Sequence, residues 1–103
     1  MSDAASQGAA DASIGALRRI LGIANKRGLH ARAAAKFVRT AGQFDAVVRV
    51  GFKGQEVSGL SIMGLMMLSA GIGCEIELVC SGRQAVEAMA ALSTLIEGKF
   101  GED

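Results

Sequence analysis

The stretch DAVVRVGFKGQEVSGL, residues 45–60, alternates apolar with polar side chains on its way to a Lys53-Gly54 pair. Successive strand residues point to opposite faces, so Ala46, Val48, Val50 and Phe52 share one side, and Val47 and Arg49 the other. The Lys53-Gly54 turn leads into QEVSGL and makes a β-hairpin. Downstream, Ser61 is a good N-cap for the short apolar helix IMGLMMLSA, which is expected to end near Gly71. In CEIELVC, a further strand, Ile76, Leu78 and Cys80 lie on one face and Glu75 and Glu77 on the other. The last helix is expected to open with a capping box from Ser81 to Gln84 and to bury Ala85, Met89, Leu92 and Ile96.

Upstream of the hairpin, ARAAAKFVRTAGQF places Ala34, Phe37, Val38 and Ala41 at helical spacing, with Gly42 as a C-terminal stop. Before it, LRRILGIA, Leu17 to Ala24, suits a strand. The order β-α-β-β-α-β-α predicts an α+β domain: a two-layer open-faced sandwich, with a four-stranded antiparallel sheet and three helices on one face. Residues 1–15 are small and polar without period and read as a flexible N-terminal tail. Residues 16–103 form the domain.

The totals narrow the function classes. Half of the 103 residues are hydrophobic, but four Phe are the only aromatics, so the core is aliphatic. Eleven basic against ten acidic residues give a net charge of +1, without the basic stripe and stacking aromatics that nucleic-acid binding uses. Cys74 and Cys80 sit in one strand, their Cα atoms ~20 Å apart at about 3.3 Å per residue, too far for a disulfide. Both are expected reduced, with Cys80 the more buried, which fits a reducing compartment. One His and two Cys so placed are too few for zinc, and no metal or cofactor is expected. The N-terminus lacks a basic n-region and an apolar h-region, and IMGLMML is far short of a membrane span. A cytoplasmic protein without membrane association is expected.

The single histidine, His30, falls at the N-terminal edge of the first helix, in RGLHARAAAKF. Free backbone N–H groups and the positive end of the helix dipole meet there, and they stabilise an anion by roughly 0.5–2 kcal/mol. That field disfavours a second positive charge, and a neutral imidazole is a nucleophile. Arg32 adds a planar cation suited to phosphate oxygens, Arg27 can add another, and Gly28 permits close backbone approach. A phosphoryl group accepted by the imidazole and cradled by the helix start fits these parts. A capping or surface histidine is the plainer alternative. No carboxylate lies near His30 in sequence, and GFKGQEVSG lacks the spacing of a nucleotide phosphate loop.

GLHARAAAKF followed some thirty residues later by SIMGLMML resembles the histidine-containing phosphocarrier (HPr) family of the phosphoenolpyruvate-dependent phosphotransferase system. The resemblance covers residues 17 to 98 or so, and it implies the same four-stranded, three-helix fold. It implies that His30 takes a phosphoryl group on Nδ1 from phosphorylated enzyme I and passes it to enzyme IIA-type acceptors. Arg32 would then steady the phosphate, and the N–H groups of Ala31 and Arg32 would meet its oxygens. Ser61 matches the regulatory serine that HPr kinase/phosphorylase modifies with ATP in some members. One departure stands out: the family's G-L-H-A-R-P ends here in Ala33, which restores an N–H donor and loosens the helix start.

The helix after Ser61 is too apolar to have a solvated face. Leu65 and Leu68, with Met67, are expected in the core, and Ile62, Met63 and Met66 on an adaptable docking patch. Arg27, Arg32 and Lys36 would rim that patch with positive charge and favour acidic partners. The family resemblance puts the docking of donor and acceptors in this region. A non-autonomous phosphoryl carrier, monomeric, is the first reading. A regulatory module of a nitrogen-type relay, acting through its phosphorylation state without sugar transport, is the second. A small-molecule-binding domain is the third, and it leaves the His30, Arg32 and Ser61 motifs unexplained.

Overall fold

Residues 15–102 are described by a computed structural model of the chain, and the expected tail lies outside them but for Gly15. Strand β1 (Leu17–Gly22), helix α1 (Ala31–Ala41), strands β2 (Val47–Phe52) and β3 (Gln55–Ser58), helix α2 (Ile62–Met67), strand β4 (Glu75–Ser81) and helix α3 (Ala85–Glu97) follow in order. A 3-10 turn, Lys99–Gly101, comes after α3. The strands form one sheet in the order β1-β4-β2-β3, with every neighbouring pair antiparallel.

Residues opposite one another in an antiparallel pair share a face. Val48 lies opposite Cys80, and Val50 lies opposite both Leu78 and Val57. With Leu21 and Ile76, the first four of these side chains give the sheet one apolar face, all of them buried. Burial also pushes the Cys80 thiol up to about 11, and both cysteines are free thiols. The other face carries Arg18 paired to Glu77 at 3.5 Å and Arg49 paired to Glu56 at 2.8 Å. Exposed pairs of this kind contribute about 0–1 kcal/mol each, so they keep that face wet rather than hold the fold.

The helices cover the apolar face. On α1, Ala33, Ala34, Phe37 and Ala41 are buried at helical spacing, and the small alanines let Phe37 take the centre of the layer. Fully burying such a ring stabilises the fold by roughly 1.5–3 kcal/mol. Helix α3 packs on β1 and β4, α1 packs against α2 and α3, and α2 packs on β3. The result is the two-layer α+β architecture expected from the element order.

Boundaries differ from expectation in three places. Strand β1 ends at Gly22: one more rung, Ile23 N–H to Cys74 O at 2.8 Å, closes the ladder before Asn25 turns the chain. The Ser81–Gln84 capping box does not form, because Ser81 is still paired in β4, opposite Val47, and Gly82 turns the chain with φ +104. Gln84 instead accepts from the Asp45 N–H at 2.7 Å and donates its own N–H to Asp45 O at 2.9 Å. This ties the start of α3 to the approach to β2. Along α3 the buried residues are Ala85, Ala88, Leu92, Ser93 and Ile96, and Met89 is half-buried at their margin.

Helix α2 is also shorter than expected, ending at Met67 with Leu68 as its C-cap. Leu65 and Leu68 enter the core, but Met67 is 73% exposed. Two residues beyond Leu65, it points away from the face that Leu65 and Leu68 bury.

Candidate functional site

The loop from β1 to α1 is a tight turn built around Asn25. The Gly28 N–H donates to Asn25 O at 3.2 Å, and the Asn25 Nδ2 donates to Gly28 O at 2.9 Å. Gly28 has φ +64, and a Cβ there would stand 2.5 Å from Ala70 O and 2.8 Å from Gly71 Cα. The next N–H, of Leu29, donates to that same Ala70 O at 3.0 Å. The segment after α2 and the loop before α1 are thus locked together, and His30 emerges at a fixed place.

His30 is the N-cap of α1, in extended conformation with φ −76 and ψ 178, and its side chain makes no cap bond. Its carbonyl accepts the first helical bond, from Ala34 N–H at 2.8 Å. The N–H groups of Ala31, Arg32 and Ala33 therefore have no partner within the helix, as the first turn requires. Arg32 is exposed and enters no hydrogen bond or ion pair among the described residues. Arg27 is also exposed. Arg27 and Arg32 thus flank the imidazole in sequence, in the loop before α1 and in its first turn.

The structure adds a residue that the sequence did not announce. His30 Nε2 lies 2.8 Å from Glu102 Oε2 and 3.0 Å from Oε1, with side-chain exposures of 16% and 19% for the pair. Asn25, fully buried, donates from Nδ2 to Glu102 Oε1 at 3.1 Å. The Glu102 carboxyl is held below the ordinary carboxyl range, by the Asn25 hydrogen bond above all. The hydrogen bond and charge of His30 and the charge of Arg27 act in the same sense, and partial burial opposes them. An ionised carboxylate only accepts, so in the neutral ring Nε2 carries the proton and Nδ1 keeps the lone pair. Nδ1 makes no hydrogen bond among the described residues.

Glu102 escaped the sequence reading because it reaches the site from 72 positions away, beyond the last helix. Lys36 departs from its expected place as well: its Nζ donates to Phe100 O at 2.6 Å. It braces the C-terminal turn instead of rimming a docking patch.

On α2, Ser61 is the N-cap, and its Oγ accepts from Gly64 N–H at 2.9 Å. A Cβ at Gly64 would stand 2.9 Å from that oxygen and 3.1 Å from Val57 Cβ, so the glycine makes room for the cap. Ile62, Met63 and Met66 are exposed as expected, Met63 at 69%, and Met67 joins them. Leu60 and Ile72 extend the same exposed apolar set on either side of α2 in sequence. Two depressions of about 350 and 340 Å³ lie at the β2–β3 turn and between β3 and α2, and His30 lines neither.

Among the described residues no helix is long and apolar enough to cross a membrane, and no cluster of side chains could hold a metal ion. The model of the family described as "PTS HPr component phosphorylation site" matches residues 17–98. The phosphocarrier protein HPr of Neisseria meningitidis serogroup A is 52% identical over 86 residues, covering 84% of this chain and 97% of that protein. The phosphocarrier protein NPr of Shewanella violacea is 41% identical over 86 residues, covering 84% of this chain and 94% of its own. Among solved structures, an HPr from Thermoanaerobacter tengcongensis matches with a TM-score of 0.81 and 42% identity, covering 84% of this chain and 98% of that one.

Proposed function

The chain belongs to the HPr family of phosphotransferase-system components, and from that membership we propose that it carries a phosphoryl group on His30 Nδ1. Phosphorylated enzyme I is the donor, and enzyme IIA-type proteins are the acceptors. The observation that carries this reading is the state of the ring. Its Nε2 is engaged by a carboxylate, and among the described residues its Nδ1 and the N–H groups that open α1 have no partner.

In the transfer, the Nδ1 lone pair attacks phosphorus as the bond from phosphorus to the donor's histidine breaks, and the donor nitrogen keeps the bonding pair. The phosphoryl oxygens are met by the backbone N–H groups of Ala31 and Arg32, with the Arg32 guanidinium beside them. Donor and acceptors dock on the apolar surface of Ile62, Met63 and Met66 with Arg27 at its edge. The exposure of those three side chains supports this, because another protein can cover them. The protein is then a monomeric, cytoplasmic carrier without cofactor, and it does no chemistry until a partner supplies the phosphoryl group.

Ser61 is the site at which HPr kinase/phosphorylase would add a phosphate from ATP. A charge there would fall at the head of α2, beside the docking residues, and would act by repelling an acidic partner rather than by unfolding the domain. The likeness to an NPr supports a second reading, in which the acceptors belong to a nitrogen-type regulatory relay and no sugar is moved.

The test is intact mass after mixing with phosphoenolpyruvate and enzyme I, repeated after brief acid treatment. One acid-labile phosphoryl group is expected on the wild type and on Ser61→Ala, and none on His30→Ala. A label that survives acid, or that persists in His30→Ala, would rule out His30 as the acceptor.

A further inference from the structure

Helix α2 gathers sulfur. Met63, Met66 and Met67 all lie on it, the second and third being three and four positions beyond the first, so their side chains are neighbours on the helix surface. Their exposures are 69%, 38% and 73%. The face that α2 turns to the core is filled by Leu65 and Leu68 instead. The cap at the head of the helix, from Gly64 N–H to Ser61 Oγ, involves none of the three thioethers. Leucine would serve as well to make an outward position apolar. What methionine adds there is a sulfur lone pair within reach of solvent, and a thioether takes up one oxygen reversibly.

The other sulfur atoms among the described residues are screened. Cys80 is fully buried, and burial raises its thiol to about 11, which leaves little of the reactive thiolate. Cys74 and Met89 are half-buried and pack against the core. An oxidant arriving from water therefore meets the α2 thioethers first. An oxygen added to them is placed on the outer side of α2, and the packing of Leu65 and Leu68 beneath is left as it was.

Resting on the carrier reading above, we propose that Met63, Met66 and Met67 form a reversible oxidation site, and that its oxidation by a peroxide slows phosphoryl transfer by spoiling the docking surface. The sulfur lone pair attacks one peroxide oxygen, and the S–O bond forms as the O–O bond breaks. The departing hydroxide takes the proton from the oxygen now on sulfur, giving methionine sulfoxide and water. Sulfur is oxidised by two electrons and the peroxide is reduced by two. The return step is the work of methionine sulfoxide reductases, one for each sulfoxide epimer. A dithiol supplies two electrons and two protons, the oxygen leaves as water, and the dithiol becomes a disulfide. While the oxygen is in place, a docking protein has to cover a polar S–O group that finds no hydrogen-bond donor in an apolar contact. His30 itself is untouched, so the switch acts on the encounter and not on the imidazole.

The experiment treats the full chain with dilute hydrogen peroxide, removes the peroxide, and maps the added oxygen by peptide mass. Far-UV circular dichroism checks the fold. The rate of transfer from phosphorylated enzyme I is measured before treatment, after it, and after incubation with both reductases and a dithiol. The same series is run on the triple variant Met63→Leu, Met66→Leu, Met67→Leu, with each protein compared only with its own untreated rate. In the wild type, oxygen is expected on Met63, Met66 and Met67 ahead of Met89 and the cysteines, with the fold unchanged. Transfer is expected to slow about tenfold and to recover with the reductases. The triple variant, which keeps Cys74, Cys80 and Met89, should lose nothing on treatment. Oxygen appearing first on Met89 or a cysteine overturns the proposal. So does an oxidised, folded wild type that transfers at its untreated rate, or an equal loss in the triple variant. If that variant does not fold, the wild-type map and the recovery with the reductases decide the matter. An untreated wild type that takes no phosphoryl group would sink the carrier reading and the effect on transfer with it, and the oxygen map would still show whether the site is oxidised first.

Discussion

At the scale of single residues, the site depends on positions where nothing larger fits. Gly28 combines φ +64 with a carbonyl oxygen 2.5 Å from where a Cβ would go. Gly28→Ala is therefore expected to cost roughly 1–3 kcal/mol from backbone strain, with steric displacement of the Ala70 segment in addition. The urea midpoint should fall, and transfer should slow because the loop that presents His30 has moved; an unchanged midpoint would contradict this packing. The placement of Gly28, His30 and Arg32 at the start of α1 was legible in the sequence because it depends on near neighbours alone. Lys36 was misread for the opposite reason. Its partner is a backbone carbonyl 64 positions away, and no local pattern marks such a contact.

Among the elements, α2 shows where pattern reading runs out. In IMGLMM nearly every side chain is apolar, so hydrophobicity alone does not say which face turns inward. Geometry decides: Leu65 and Leu68 are three apart and buried, while Met63, Met66 and Met67 face outward. The consequence is measurable in a pair of variants. Leu65→Ala removes a fully buried side chain and is expected to lower stability by about 2–5 kcal/mol. Met67→Ala should change it by no more than about 0.5 kcal/mol. Equal losses in the two denaturation curves would mean that Met67 is packed. The hairpin was read more securely, because the alternation of Val47, Val48, Arg49 and Val50 separates the faces residue by residue, and the burial of Val48 and Val50 follows it. The capping box at Ser81 failed because a strand kept its last residue: a local motif gave way to a sheet rung with Val47.

Over the whole molecule, the fold brings the turn after α3 back to the loop between β1 and α1. β1 and β4 are paired in the sheet, α3 lies across both, and the turn after α3 returns to the loop after β1. The element order made the sandwich predictable, but the meeting of Asn25, His30 and Glu102 depends on three left-handed residues whose conformation the core imposes. That meeting also ties stability to pH. Glu102 ionises more readily in the folded protein than an ordinary glutamate does, so its ionised form favours folding. The contribution is complete above the unfolded-state value, about 4.3, and is lost as pH falls through the lower folded-state value. Glu102→Gln should accordingly have a lower urea midpoint than wild type at pH 7, and the two midpoints should converge by pH 3. A gap of the same size at both pH values would mean that the loss comes from packing. It would then be the shape of the side chain, and not the carboxylate charge beside His30, that joins the turn after α3 to the loop after β1.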